Sequence, residues 1–247
     1  MARRYDMLHY AGTSPGPHLL ITGAVHGNEP CGPQAIHRVG EALERGEIQI
    51  TQGRLTLIPV CNPAAYEQGT RYYERNMNRH FYPKDPPDTY EDERINKLAP
   101  ELAKADYLLD IHSYSRGGPP FVFVDTSVTE DLKFARMLGI SESVHGFQAA
   151  HRAAGIVDDD AYSMGTAEYT RANGGHALTL ECGRHDDPQS IAVAWRAICG
   201  VLYHLELAEI SEALADKIPP LASAEDMACT QATEVVFKDR PGRFLAD

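Results

Sequence analysis

Four short stretches of this sequence carry side chains that can bind a metal, move a proton or grip an anion. His26 and Glu29 stand three residues apart, directly after the apolar run 19–25 and just ahead of a helical pattern. An imidazole and a carboxylate at a strand-to-helix turn can reach one ion. Zinc takes nitrogen and oxygen donors at about 2 Å, and a catalytic zinc site keeps one position open for water. His112 closes a second apolar run, 107–111, and is the candidate third ligand. Asp110 precedes it by two residues, on the same side of an extended strand, where it can accept the imidazole proton and fix the ring. Glu181 closes a third run, 177–180. Burying a carboxylate there without a partner is costly, and beside a metal and its water such a group is a natural general base. The stretch 71–79 holds Arg71, Arg75 and Arg79. Arginine suits two-pronged recognition of a carboxylate and can hold the oxyanion formed during amide hydrolysis.

These residues need a frame that brings them to one edge. The runs at 19–25, 55–60, 107–111, 121–124 and 177–180 are short and nearly continuous in hydrophobicity, as in strands covered on both faces. Helical patterns lie between them, at about 30–45, 90–104, 130–138 and 188–213. Pro30 and Gly46 bracket the first, and Pro188 opens the last and longest. Strands alternating with helices imply an α/β fold with a mixed, mainly parallel sheet and helices on both faces. Ligands in such folds sit beyond the carboxyl ends of the strands, which is where three of the four stretches fall. After the long helix the texture changes. Residues 218–226 are rich in Pro, Ala and Ser, residues 233–238 suit one strand, and 239–242 suit a turn. The expected division is a hydrolase domain over residues 1–217 and a short linker and strand over 218–247.

The 247 residues suffice for one sizeable core. A net charge of −12 argues against a nucleic-acid partner gripped through a basic face, although a pocket can be positive on a negative protein. No apolar run approaches the roughly 20 residues of a membrane span, and the first ten residues carry two arginines with no apolar stretch behind them. The expectation is a cytoplasmic protein with no membrane partner. Five cysteines, an odd number without a C-x-x-C pair, read as reduced and mostly buried thiols.

In order, spacing and context, the stretches resemble the succinylglutamate desuccinylase and aspartoacylase family, a branch of the zinc carboxypeptidase superfamily. The resemblance rests on His26-Gly27-Asn28-Glu29, Asn62-Pro63-Ala64, Gly69-Thr70-Arg71-Tyr72 leading to Asn76-Met77-Asn78-Arg79-His80-Phe81, Asp110-Ile111-His112 and Leu180-Glu181-Cys182-Gly183. It runs from about residue 18 to 185, and more weakly to about 213. It implies a zinc-carboxypeptidase-like α/β fold with Zn2+ held by His26, Glu29 and His112. It also implies Glu181 as general base and then acid, Arg71 polarising the scissile carbonyl, and Asn78 and Arg79 gripping a substrate carboxylate. Arg171 matches the position of a second carboxylate-binding arginine. Asn76 departs from the pattern, standing where many members carry aspartate. Members of the family carry a sizeable C-terminal β domain, and residues 218–247 are expected to be its remnant, which would leave a more open pocket.

The reading that follows is a zinc-dependent hydrolase cleaving the amide bond of a small anionic N-acyl amino acid. The alternative is a metallocarboxypeptidase or amidase acting on short peptides. A metal-dependent binding protein on a degenerate hydrolase fold is a third possibility, and the presence of all three candidate ligands and the base speaks against it.

Overall fold

The computed structural model describes residues 7–124, 128–147, 149–150, 163–223 and 227–232. Among them, an eight-stranded mixed sheet runs through the molecule. Its strands are β1 (Leu8–Ala11), β2 (Ser14–Gly23), β4 (Gln52–Ile58), β5 (Tyr107–Tyr114), β6 (Phe121–Phe123), β7 (Glu142–His145), β8 (His176–Arg184) and β10 (Ala228–Gln231), in the order β1-β4-β2-β5-β8-β6-β7-β10. The pairs β2–β4, β2–β5, β5–β8, β6–β7 and β7–β10 are parallel, while β1–β4 and β6–β8 are antiparallel. A separate two-stranded ribbon joins β3 (Ile48–Ile50) to β9 (Ala208–Ile210). The expected α/β class and mainly parallel sheet are therefore present.

Two apolar cores cover the faces of the sheet. One gathers Leu19, Ile21, Leu109, Leu178 and Leu180 against α1 (Cys31–Glu44) and α6 (Pro188–His204). The other gathers Leu20, Leu108 and Ala177 with Ile95 and Leu98 of α3 (Tyr90–Leu102). Alternate residues of β2 and β5 thus serve opposite cores, which is why both strands read as continuous apolar runs. Three shorter helices, α2 (Pro63–Gln68), α4 (Thr129–Arg136) and α5 (Thr166–Ala172), complete the elements that position the site.

Local sequence accounts for the helix starts. Thr89 caps α3 in a reciprocal box with Asp92, Asn62 caps α2, and Asp187 caps α6 ahead of Pro188. The long helix is shorter than its apolar pattern suggests, ending at His204 rather than near 213. Glu206 takes a positive φ of 56°, reversing the chain, and the apolar residues beyond it build β9 and the 3-10 turn Glu212–Lys217 instead. Ala228–Gln231 then joins the main sheet beside β7. The strand expected at 233–238 lies outside the described residues. All five cysteines are free thiols, four buried and Cys229 exposed. No helix among the described residues is long and apolar enough to cross a membrane.

Candidate metal centre

The chain leaves β2 through Ala24, a fully buried residue held at φ 44°, and this turn brings His26 and Glu29 to the carboxyl edge of the sheet. Gly27 is required for the approach to α2. A Cβ at Gly27 would lie 2.1 Å from the carbonyl carbon of Ala65. β5 delivers His112 to the same edge, and the parallel register sets it beside Glu181 of β8.

His26, Glu29 and His112 are all buried, and one ligand atom from each lies within 4.8 Å of the others. Glu29 Oε1 is 2.9 Å from His26 Nδ1, and Glu29 Oε2 is 2.9 Å from His112 Nδ1. Donors bonded at about 2 Å to one tetrahedral ion sit about 3.3 Å apart, so the trio needs little adjustment to share a cation.

The outer ring nitrogens are engaged by acceptors, which leaves the inner ones available to an ion. Asn76 Oδ1 is 3.1 Å from His26 Nε2 and also accepts the backbone N–H of Asn78 at 2.9 Å. A backbone N–H only donates, so the atom facing it is the amide oxygen, and His26 Nε2 carries a proton. Burial lowers the pKa of His26, disfavouring a second proton on the ring. The Nδ1 lone pair then faces a carboxylate oxygen, an arrangement that a cation between them resolves. Asp110 Oδ2 is 2.9 Å from His112 Nε2. Asp110 itself is fully buried and accepts hydroxyl hydrogen bonds from Thr22, at 2.7 Å, and from Thr166.

The electrostatics agree with this assignment. Burial opposes a charged His112, but the Asp110 and Glu29 carboxylates outweigh it and raise its pKa well above 6.5. Burial likewise opposes an ionised Glu29, yet the two imidazoles hold it well below the usual carboxylate range. Positive charge is thus favoured at this point before any ion is considered. Two imidazole nitrogens, one carboxylate and two acceptor-held outer nitrogens fit a divalent cation, and the nitrogen-rich set suits zinc.

Glu181 is the unsatisfied member of the site. Its Oε2 is buried, and no described residue hydrogen-bonds to it. Burial pushes its carboxyl up to about 7, with His112 opposing, Glu29 adding to the rise and Arg71 opposing. Asn28 Oδ1 is a second buried acceptor without a donor among the described residues. Glu181 and Asn28 both line a cavity of about 770 Å3 that reaches the metal trio.

Arg71, Asn78, Arg79 and Arg171 line this cavity too, beside the candidate ligands and Glu181, whereas Arg75, Asn76 and Asp110 do not. Their surroundings differ. Arg71 is half exposed and lies 3.4 Å from Glu29 Oε1. Asn78 Oδ1 accepts the Thr166 backbone N–H at 3.0 Å, tying the arginine loop to the start of α5. A Cβ at Gly165 would lie 2.4 Å from that oxygen, so glycine is needed for this approach. Arg79 donates to the Asn78 carbonyl at 2.6 Å. Arg171 is bound to Asp131 at 3.1 Å, with Glu168 at 3.7 Å, so its charge is already matched.

Several contributors were not legible in the sequence. Glu91, fully buried on α3, accepts the backbone N–H groups of Tyr73 at 2.7 Å, Glu74 at 3.2 Å and Arg75 at 3.3 Å, and so fixes the arginine loop. Arg75 pairs with Asp92 and donates to the Arg79 carbonyl at 2.9 Å, a structural rather than a recognition role. Thr22 and Thr166 had no pattern to mark them. Asn76 was noted only as a departure, and its contact with His26 came from the fold.

Comparison with known proteins agrees with this geometry. The chain is 26% identical over 223 residues to the N-alpha-acetyl-L-2,4-diaminobutyric acid deacetylase of Halomonas elongata, which covers 89% of this chain and 64% of that relative. It is 28% identical over 146 residues to the succinylglutamate desuccinylase of Idiomarina loihiensis, covering 53% of this chain and 41% of that relative. The chain therefore spans less than two thirds of the length of these curated relatives. In fold it is similar to the crystal structure of a succinylglutamate desuccinylase/aspartoacylase from Rhodobacter sphaeroides, with a TM-score of 0.68 at 22% identity over 92% of this chain and 64% of that one. The profile of the succinylglutamate desuccinylase/aspartoacylase catalytic domain matches residues 15–202, and the chain belongs to that family.

Proposed function

We propose that this protein hydrolyses the amide bond of a small anionic N-acyl amino acid, with zinc held by His26 Nδ1, Glu29 and His112 Nδ1. The observation that carries the reading is Glu181. It is a carboxyl raised to about 7, with a buried and unpartnered oxygen, on the cavity that reaches the metal trio. A base poised near neutrality beside an open position is what proton transfer from water requires. A bound zinc ion supplies the positive charge that acidifies water and polarises the scissile carbonyl.

The protein's own groups do the rest. Glu181 takes the proton from the attacking water as its oxygen bonds to the acyl carbon. The same carboxyl then delivers that proton to the nitrogen as the C–N bond breaks, releasing an acid and an amine. Arg71, half exposed at the mouth of the trio, offers N–H groups to the developing oxyanion. Arg79, with Asn78, receives the substrate carboxylate. Asp110 and Asn76 keep both imidazoles turned inward. The relatives' names support an acyl–amine reaction, one being a deacetylase and the other a desuccinylase. We assign the hydrolase unit to residues 1–217, with Ala228–Gln231 adding an edge strand to its sheet, and a cytoplasmic location, which free thiols, four of them buried, suit.

The test is a hydrolysis screen of zinc-loaded and chelator-treated protein against N-acyl amino acids and dipeptides. The expected result is release of amine from an N-acyl amino acid, abolished by chelation and restored by zinc. Faster cleavage of dipeptides replaces this reading with the carboxypeptidase one. A zinc-loaded protein inert on both classes defeats it.

A further inference from the structure

Beyond Glu181 the wall of the cavity is made of aromatic rings, and the sheet register explains how. β6 runs antiparallel to β8 with Phe121 opposite Glu181 and Phe123 opposite Thr179, while on its other side Phe123 lies opposite Val144 of β7. Paired residues point to one face of a sheet, so the face that carries Glu181 continues as Phe121, Phe123 and Val144. Val122, between the two rings, points the other way and is wholly buried in the core. Ring centroids step from Tyr114 to Phe121 at 5.8 Å, from Phe121 to Phe123 at 5.1 Å and from Phe123 to Phe147 at 4.9 Å. All four rings line the cavity and none is fully buried.

Two further observations bear on what covers this wall. The arginine best placed to serve a second carboxylate, Arg171, is held by Asp131 at 3.1 Å and neighbours Glu168 at 3.7 Å. The cavity, about 770 Å3, lies in the upper part of the roughly 300–1,000 Å3 range of sites for drug-sized ligands. A short dicarboxylate would use little of this apolar surface, whereas a large apolar group would lose water against it.

We propose that the substrate is an N-acyl amino acid with a single carboxylate and a large apolar group, preferably aromatic, that packs on Phe121, Phe123 and Phe147. This rests on the hydrolase reading above and narrows its substrate class. Aromatic partners fit such a wall because offset and edge-to-face ring contacts add to the burial of apolar area. The group can be carried on the amino-acid half or on the acyl half, and two probes separate these cases.

The experiment measures kcat/KM of zinc-loaded protein for N-acetylphenylalanine, N-benzoylglycine, N-acetylglycine and N-acetylaspartate. At least one aromatic substrate is expected to exceed N-acetylaspartate by about 10-fold or more. Phe123→Ala is expected to reduce the preference for that substrate over N-acetylglycine by about 10- to 100-fold, the scale on which an apolar pocket discriminates. Phe123→Leu, which keeps bulk and loses the ring, gives a smaller loss of the same sign. Calorimetric binding of the four compounds to the zinc-loaded Glu181→Gln protein reads the preference without turnover. Aromatic-selective binding without hydrolysis by the wild type overturns the hydrolase reading alone. Hydrolysis that favours N-acetylaspartate, or a preference unmoved by both Phe123 variants, overturns this proposal alone.

Discussion

Asp110 offers the sharpest test of how the centre is built, because two substitutions at one position should fail in different ways. Its carboxylate receives the Thr22 hydroxyl on Oδ1, and the Thr166 hydroxyl and His112 Nε2–H on Oδ2. In Asp110→Asn the amide oxygen can take the place of Oδ2, keeping His112 and Thr166 bonded, while the amide nitrogen faces Thr22. The Thr22 hydroxyl reverses and accepts. Every contact survives and only the charge behind His112 is lost. Removing such a partner lowers metal affinity by roughly 10- to 100-fold, or about 1.4–2.8 kcal/mol. Asp110→Ala strips all three donors of their acceptor. Thr166 can turn to Asn78 Oδ1, 3.4 Å away, but Thr22 and His112 Nε2 are left buried and unpaired. At about 1–3 kcal/mol for each unsatisfied group the loss is about 2–6 kcal/mol, a large part of a typical domain's stability. The assays are competitive zinc titration against a chromophoric chelator and thermal melting of the metal-free proteins. The asparagine variant should bind zinc more weakly and, having lost one of the two charges that hold protonated His112, melt somewhat below the wild type, while the alanine variant should melt far lower. An asparagine variant with wild-type affinity, or one that unfolds like the alanine variant, refutes the argument.

Other outcomes follow from the same geometry. Glu181→Gln keeps shape and hydrogen bonding but cannot accept a proton. Its kcat should fall by at least about 10²-fold with zinc content unchanged, and loss of zinc instead would make Glu181 a ligand. Arg79→Ala should raise KM for an N-acyl amino acid more than it lowers kcat. An unchanged KM removes the assigned grip on the carboxylate. In the metal-free protein the charged His112 contributes stability fully present below its unfolded value of 6.5 and lost as pH rises through its raised folded value. Zinc competes with that proton, so affinity measured between about pH 6 and about pH 9 should climb with pH, and a flat profile contradicts the pairing of His112 with Asp110 and Glu29. Glu181 must be ionised to act, so kcat/KM should fall on the acid side with a midpoint no higher than about 7, because a bound cation pulls the carboxylate down. A midpoint well above 7 assigns the titration to another group.

The sequence alone determined those parts of the site that depend on short separations along the chain. His26 and Glu29 share one turn, Asp110 and His112 share one side of β5, and Glu181 ends a run whose neighbours are all apolar. Strand periodicity, helix caps and proline positions act over a few residues, so they are readable without the fold. Tertiary structure decided whatever depends on residues far apart. The long helix stops at His204 because the apolar residues beyond it find better partners in β3. β7, Glu-Ser-Val-His, and β10, Ala-Cys-Thr-Gln, carry no apolar run to announce them and become strands through pairing. Asn76 and His26 meet across 50 residues, Arg171 and Asp131 across 40, and Glu181 and Phe121 across the antiparallel junction of β6 and β8. No local pattern encodes these contacts. They arise when the sheet order is set by burial of both faces at once, and that same order turns the apolar run at 121–124 from an apparent core strand into one that sets two rings on the cavity wall.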